Sequence, residues 1–227
     1  MSLSPQVVVV GSIMQDLTFA CADFPHAGQT IMARLASGQG GKGSNQAIAC
    51  GRTGVRTMFV GAMGRDGFAD QVAAFYRKEK IGCHLALKAG ESTGTAVILI
   101  NRLGQNQIVI EPGANAALQT ADVPRRVLTQ ARVLVVQLEA NQRTTAEVLR
   151  IAREAGVTTI LNPAPMRADF SPALLRHADI LIPNETEFVA LVRRSPKGGR
   201  RHFDERALHA MSWVKLHALC RTFGVPT

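Results

Sequence analysis

The sequence is short of the residues that build covalent or metal-held scaffolds. Its four cysteines, Cys21, Cys50, Cys83 and Cys220, lie far apart with no C-x-x-C pair, which argues against a disulfide framework or a zinc knuckle. They are expected to be small buried hydrophobes in a reducing compartment. The six histidines form no H-E-x-x-H or related ligand pattern, and none is assigned to a metal. Nowhere do about 18 uncharged apolar residues run together, as a membrane span requires. The apolar run near the start, Val7 to Val10, has no basic leader before it. This pattern predicts a soluble, unexported, cytoplasmic protein. Aromatics are also scarce, at 5%, which bears on the net charge of +9. Arg193, Arg194, Lys197, Arg200 and Arg201 crowd into one segment punctuated by Ser195-Pro196 and Gly198-Gly199. With no aromatics interleaved to stack on bases, that segment reads as a basic surface loop rather than a nucleic-acid interface.

What is present is a length of 227 residues and 46% hydrophobic content, enough for one substantial core. Short β-rich runs at 6–10, 57–60, 133–137, 158–161 and 180–182 alternate with helical stretches at 44–52, 68–80, 144–155 and 185–192. That order predicts an α/β fold with a parallel sheet flanked by helices. Phe68, Val72, Phe75 and Tyr76 recur at helical spacing and should form one buried face. Two regions break the alternation: 17–21 with 30–35, and 95–101 with 107–111, read as strand pairs of a small separate sheet. Such a sheet beside the crevice at the strand ends could act as a lid. Residues 204–223 read as one last helix with an apolar side formed by Ala207, Leu208, Met211, Val214 and Leu219.

The densest local signal is Ser37-Gly38-Gln39-Gly40-Gly41-Lys42-Gly43-Ser44-Asn45-Gln46-Ala47. A phosphate-binding P-loop needs Ser or Thr directly after its lysine, and Gly43 stands there. Gly38, Gly40 and Gly43 fit G-x-G-x-x-G, but the strand at 57–60 leads into Gly61-Ala62-Met63-Gly64 and lacks the acid a dinucleotide fold places there. The remaining readings are a structural turn, or a helix start whose free amides, with Lys42 and Asn45, meet a polar ligand. The second is preferred.

Polar residues also follow the strands: Asp16 after the first, Glu139 after 133–138, Asn162 after 158–161, and Asn184-Glu185-Thr186-Glu187 after 180–183. Carboxylates at that rim suit adjacent hydroxyls, since an ionised acid accepts two hydrogen bonds, which points to a polyol or sugar. Each has a plainer alternative. Asn184 with Glu187 is equally a helix capping box, Asp16 and Glu139 could cap turns, and Asn162 before Pro163 could mark a tight connection.

Taken in order, Gly11-Ser12-Ile13 with Asp16, Gly40 to Ala47, Gly90-Glu91-Ser92-Thr93-Gly94, Gly113-Ala114-Asn115-Ala116, Gln137-Leu138-Glu139, Asn162-Pro163-Ala164-Pro165 and Pro183 to Glu187 resemble the ribokinase branch of the PfkB family of carbohydrate kinases. The resemblance implies an α/β/α sandwich with a small β lid, at about 17–36 and 94–112, through which two chains pair as a homodimer. It implies transfer of the γ-phosphoryl group of ATP to the primary hydroxyl of ribose, with magnesium. By motif, Asp16, Gly41, Lys42, Asn45 and Glu139 would contact the sugar, Asn184 would lie near the nucleotide phosphates, and Glu187 would help hold Mg2+ through water.

Two departures accompany it. Met14 stands where ribokinases carry asparagine, and a thioether offers a hydroxyl no donor and only a weak acceptor. The family's catalytic aspartate in a Gly-Ala-Gly-Asp segment, its anion hole, most of its adenine pocket and its K+ site have no counterpart before Thr227. The expectation is an incomplete ribokinase-like domain over 1–227, inactive alone because phosphoryl transfer depends on those parts. The alternative is a noncatalytic sugar-binding or dimerising remnant of a sugar or nucleoside kinase.

Overall fold

The computed structural model describes residues 4–195 and 202–226. Most of the expected basic loop, including Lys197, Arg200 and Arg201, falls outside them. Of its described members, Arg193 donates to the Phe203 carbonyl at 2.6 Å and Arg194 to the Arg167 carbonyl at 2.5 Å.

Ten strands are described: β1 Val7–Val10, β2 Met14–Ala20, β3 Arg34–Gly40, β4 Thr57–Gly64, β5 Gly82–Lys88, β6 Thr95–Ile100, β7 Asn106–Glu111, β8 Val133–Val136, β9 Thr158–Leu161 and β10 Ile180–Leu181. The helices are α1 Lys42–Arg52, α2 Phe68–Glu79, α3 Arg125–Thr129, α4 Gln142–Glu154, α5 Glu185–Arg194, α6 Glu205–His209 and α7 Trp213–Arg221. Six strands form one parallel sheet in the order β10-β9-β8-β1-β4-β5. β1 sits inside it because four valines suit a strand buried on both faces, with Val7 registered against Thr57 on one side and Val133 on the other.

Alternation along β1 builds two cores. Val8 and Val10 join Leu134, Val136, Val148, Leu149 and Ala152 beneath α4, whereas Val9 joins Ala47, Ile48, Phe59, Val72 and Tyr76 beneath α1 and α2. Helices thus cover both faces of the sheet, the expected α/β/α sandwich. On α2, Val72 and Tyr76 are fully buried and Phe75 packs beside them. Tyr76 stacks on Phe59 at 5.3 Å between ring centroids and donates to Ser44 Oγ at 2.9 Å, tying α2 to α1. Burial pushes the Tyr76 phenol upward.

The remaining strands form a separate sheet in the order β3-β2-β6-β7, with antiparallel outer pairs joined by parallel β2 and β6. Its strand bounds differ from the expected ones. β2 begins at Met14, and β3 runs through Arg34–Gly40 instead of 30–35, so Gly38 and Gly40 of the glycine-rich loop are strand residues paired with Asp16 and Met14. Glycine disfavours strands locally, and the β2 partner overrides that preference. β5 carries no clear alternation and was not anticipated; it is an edge strand held by pairing to β4.

Two other expectations are corrected. The helix foreseen over 204–223 is two helices, because Ser212 accepts from Lys215 N and starts α7 afresh. Ala207, Leu208, Met211, Leu216 and Leu219 pack on Phe188, Val189, Val192 and Phe203, while Val214 is exposed. Only Cys21 is a buried cysteine; Cys50 is half-buried, and Cys83 on edge strand β5 and Cys220 on α7 are exposed.

Candidate functional site

The site begins where β3 turns into α1. Gly41 has φ 89°, and a Cβ there would lie 2.9 Å from both the Ser12 carbonyl oxygen and Ile13 Cα. A Cβ on Gly43 would lie 2.7 Å from Ser12 N. Only glycine lets the start of α1 press against the segment leaving β1.

That contact settles the fate of the α1 amides. Lys42 N donates to Glu139 Oε2 at 2.8 Å, Gly43 N to Ser12 Oγ at 3.3 Å, and Ser44 N to the Ser12 carbonyl at 2.9 Å. Ser12 Oγ itself donates to Glu139 Oε2 at 2.6 Å. The expectation of free amides awaiting a ligand is therefore corrected. A buried helix end must pair its donors, and Ser12 and Glu139 supply acceptors from distant parts of the chain. Sequence reasoning missed Ser12 in this role, since a lone serine after a strand carries no mark of it.

Side chains rather than amides face outward. Lys42 Nζ stands 3.7 Å from Glu139 Oε1, with the lysine side chain 41% exposed and the glutamate 7%. Asn45, one turn along α1 from Lys42, is exposed on the same side. Asp16 lies over Gly40, where a Cβ would come within 2.1 Å of its carboxylate. Burial, and secondarily the Glu139 charge, hold the Asp16 carboxyl above the usual carboxylate range. The structure thus gathers Asp16, Gly41, Lys42 and Glu139, with Asn45 adjacent. Two hydrogen-bond acceptors face two donors, an arrangement suited to a polyhydroxylated ligand.

An amide relay runs along the strand ends beneath them. Gln137 Nε2 donates to Gln46 Oε1 at 2.6 Å, Gln46 Nε2 to Asn162 Oδ1 at 3.2 Å, and Asn162 Nδ2 to the Ile182 carbonyl at 2.7 Å. The terminal carbonyl can only accept, so every amide in the chain must point the same way. Gln137 Oε1 is left buried without a partner at the other end.

Asn184 and Glu187 follow at the start of α5, and there the capping box is formed. Glu187 N donates to Asn184 Oδ1 at 2.8 Å, and Asn184 N donates to Glu187 Oε2 at 2.9 Å. Glu187 is buried while Asn184 is exposed. Among the described residues no group of three or more His, Cys, Asp or Glu side chains gathers as a metal cage. A single carboxylate with one oxygen committed to the cap fits magnesium only where waters complete the shell. The amide relay reaches toward this pair through the Ile182 carbonyl, two residues before Asn184.

Residues 4–212 match the pfkB family carbohydrate kinase pattern. Mouse ribokinase is 37% identical over 185 residues, covering 80% of this chain and 57% of that protein. The deoxyribokinase of Salmonella typhimurium is 31% identical over 196 residues, covering 82% and 62%. Arabidopsis thaliana ribokinase, solved with ribose and ATP, superposes with a TM-score of 0.75 at 30% identity, over 95% of this chain and 69% of that one. This chain therefore spans under two thirds of the length of those curated relatives. Both sheets, the parallel one of the sandwich and the added four-stranded one, lie within the matched residues, and the chain belongs to the pfkB family of carbohydrate kinases.

Proposed function

We propose that this chain carries the sugar-binding half of an ATP-dependent sugar kinase acting on the primary hydroxyl of a pentose, D-ribose first among them. The observation that carries the proposal is the Lys42–Glu139 ion pair at the start of α1, with the Asp16 carboxylate beside it over Gly40. In this reading Asp16, once ionised, accepts from two neighbouring hydroxyls, and Lys42 and Asn45 donate to ring or hydroxyl oxygens. Gly41 lets the ligand approach the backbone, and Glu139 holds Lys42 and Ser12 in place while accepting from the sugar. ATP with Mg2+ would supply the phosphoryl group, with Asn184 near the phosphates and Glu187 near the metal. Proton abstraction and phosphate-charge stabilisation are assigned to the part of the relatives that lies beyond the matched length.

Exposed Leu35, Ile108, Val109 and Ile110 on the four-stranded sheet support its service as a lid and as a pairing surface between two chains. A cytoplasmic setting accords with the absence of any helix long and apolar enough to cross a membrane among the described residues.

Titration calorimetry with D-ribose, alongside an ADP-release assay, tests the proposal. Ribose binding lost in Asp16→Asn, with little ADP formed by the chain alone, is the expected result. No ribose binding to the wild-type chain would refute the sugar site, and rapid ribose-dependent ADP release would refute the assignment of the missing groups.

A second reading has its own support. Met14 is 2% exposed and stands two residues from Asp16, on the same side of β2. A thioether there leaves a neighbouring hydroxyl without a partner, at a cost of about 1–3 kcal/mol, which favours a deoxy sugar. Tighter binding of 2-deoxyribose than ribose, reversed in Met14→Asn, would select this reading.

A further inference from the structure

The chain passes between its two sheets at four places; apart from the return from β3 through Gly41, they meet at one side chain. It leaves the large sheet through Ile13 into β2 and again through Gly94 into β6, and it returns from β7 through Pro112. Asn115 is fully buried at their junction. Its Oδ1 accepts from Ile13 N at 3.0 Å, and its Nδ2 donates to the Ile13 carbonyl at 2.8 Å and to the Pro112 carbonyl at 2.9 Å. The amide thus treats Ile13 as a neighbouring strand would, filling both its backbone groups, and adds the return crossing.

The second crossing is locked to the same point. A Cβ on Gly94 would stand 2.3 Å from Asn115 Nδ2 and 2.8 Å from the Pro112 carbonyl oxygen. Gln15 N donates to the Gly94 carbonyl at 2.8 Å, and Ala114 N to the Ser92 carbonyl at 2.9 Å. Asp16 follows Ile13 by three residues, so the position of Ile13 sets where its carboxylate meets the α1 end.

The geometry points to Asn115 as a positioning residue: a pin that holds three of the four crossings together and so fixes Asp16 against the start of α1. The Asp16 part rests on the proposed sugar site; the pinning does not.

The test uses the whole chain with two variants. Asn115→Asp keeps the acceptor for Ile13 N and loses both donors. Gly94→Ala crowds the pin from the opposite side while leaving Asn115 intact. Hydrogen exchange is followed at the amides of Ile13, Gln15 and Ala114, at Leu17 and Val97 within the small sheet, and at Val9 and Val135 within the large one. Losing hydrogen bonds worth a factor of about ten each should speed exchange at the three crossing amides together, about tenfold or more, in both variants. Amides inside either sheet should change less than about twofold. Faster exchange at Ile13 alone would overturn the pin, and so would uniform acceleration across both sheets in both variants. Ribose affinity, measured in parallel, should fall about tenfold in both variants although no sugar contact is altered. Unchanged affinity would overturn the positioning of Asp16. A wild-type chain that does not bind ribose would refute the sugar site and leave the exchange result to decide the pin.

Discussion

Replacing Gly43 with alanine should destabilise the protein, against the rule for helices. In a helix interior alanine is favoured over glycine by about 1 kcal/mol. A Cβ at position 43, however, would meet Ser12 N at 2.7 Å, Gly11 C at 2.8 Å and Gly11 Cα at 2.9 Å, all backbone. Ordinary contact distances require α1 and the 11–13 segment to part by roughly half an ångström or more, and overpacking of this kind costs about 1–3 kcal/mol. The same movement stretches the bonds from Gly43 N and Ser44 N to Ser12, each worth about 1 kcal/mol. The net loss is about 2–3 kcal/mol, or a melting point lower by about 5–10 °C in a chain of this size. Gly38→Ala, in the same glycine-rich run but on β3, is the control. Nothing lies within 4 Å of its Cβ position, so it should melt within about 2 °C of wild type, or slightly higher because the unfolded chain loses freedom. Thermal melts followed by circular dichroism read both. A Gly43→Ala chain as stable as wild type, or a Gly38→Ala chain that loses several degrees, would refute the argument from close approach.

Gly40→Ala should separate stability from binding. Its Cβ would collide with the Asp16 carboxylate, a movable side-chain end, so the melting point should hold while ribose affinity falls about tenfold; calorimetry showing equal losses of both would contradict this. Ribose affinity should also depend on pH through Asp16, whose carboxyl is raised by burial and then by Glu139. The ionised form is the acceptor, so binding weakens as pH falls through that raised value, above the usual carboxylate range. The same raised value makes ionised Asp16 a stability cost that grows as pH rises through it. Asp16→Asn should remove this dependence from the melting curve between the usual carboxylate range and the raised value, and an unaltered pH profile of stability would count against the placement of Asp16.

The sequence by itself determined the layered architecture. Val7 to Val10 reads as a doubly buried strand, and the alternation of strands with amphipathic helices leaves a parallel sheet covered on both faces as the natural burial of those patterns. The candidate site is legible in part: Asp16 and Glu139 stand out as polar residues that follow strands and have no core role, and Lys42 as the lysine of the glycine-rich run that opens a helix. Asn184 and Glu187 were legible as a capping box because that motif is local.

What only the tertiary structure decided are the relations between residues far apart in the chain. No local signal shows that Ser12 and Glu139 cap a helix whose amides lie 31 and 97 residues away in sequence, or that Asn115 pairs with Ile13 across 102 residues. Nor can a glycine pattern reveal which glycines touch backbone: Gly38 and Gly43 look alike in sequence, and one faces open space while the other is pressed on Ser12. Local propensity fixes periodicity within an element. Buried donors and acceptors find their partners only when separate elements meet, and at this site that meeting determines which side chains remain free for a ligand.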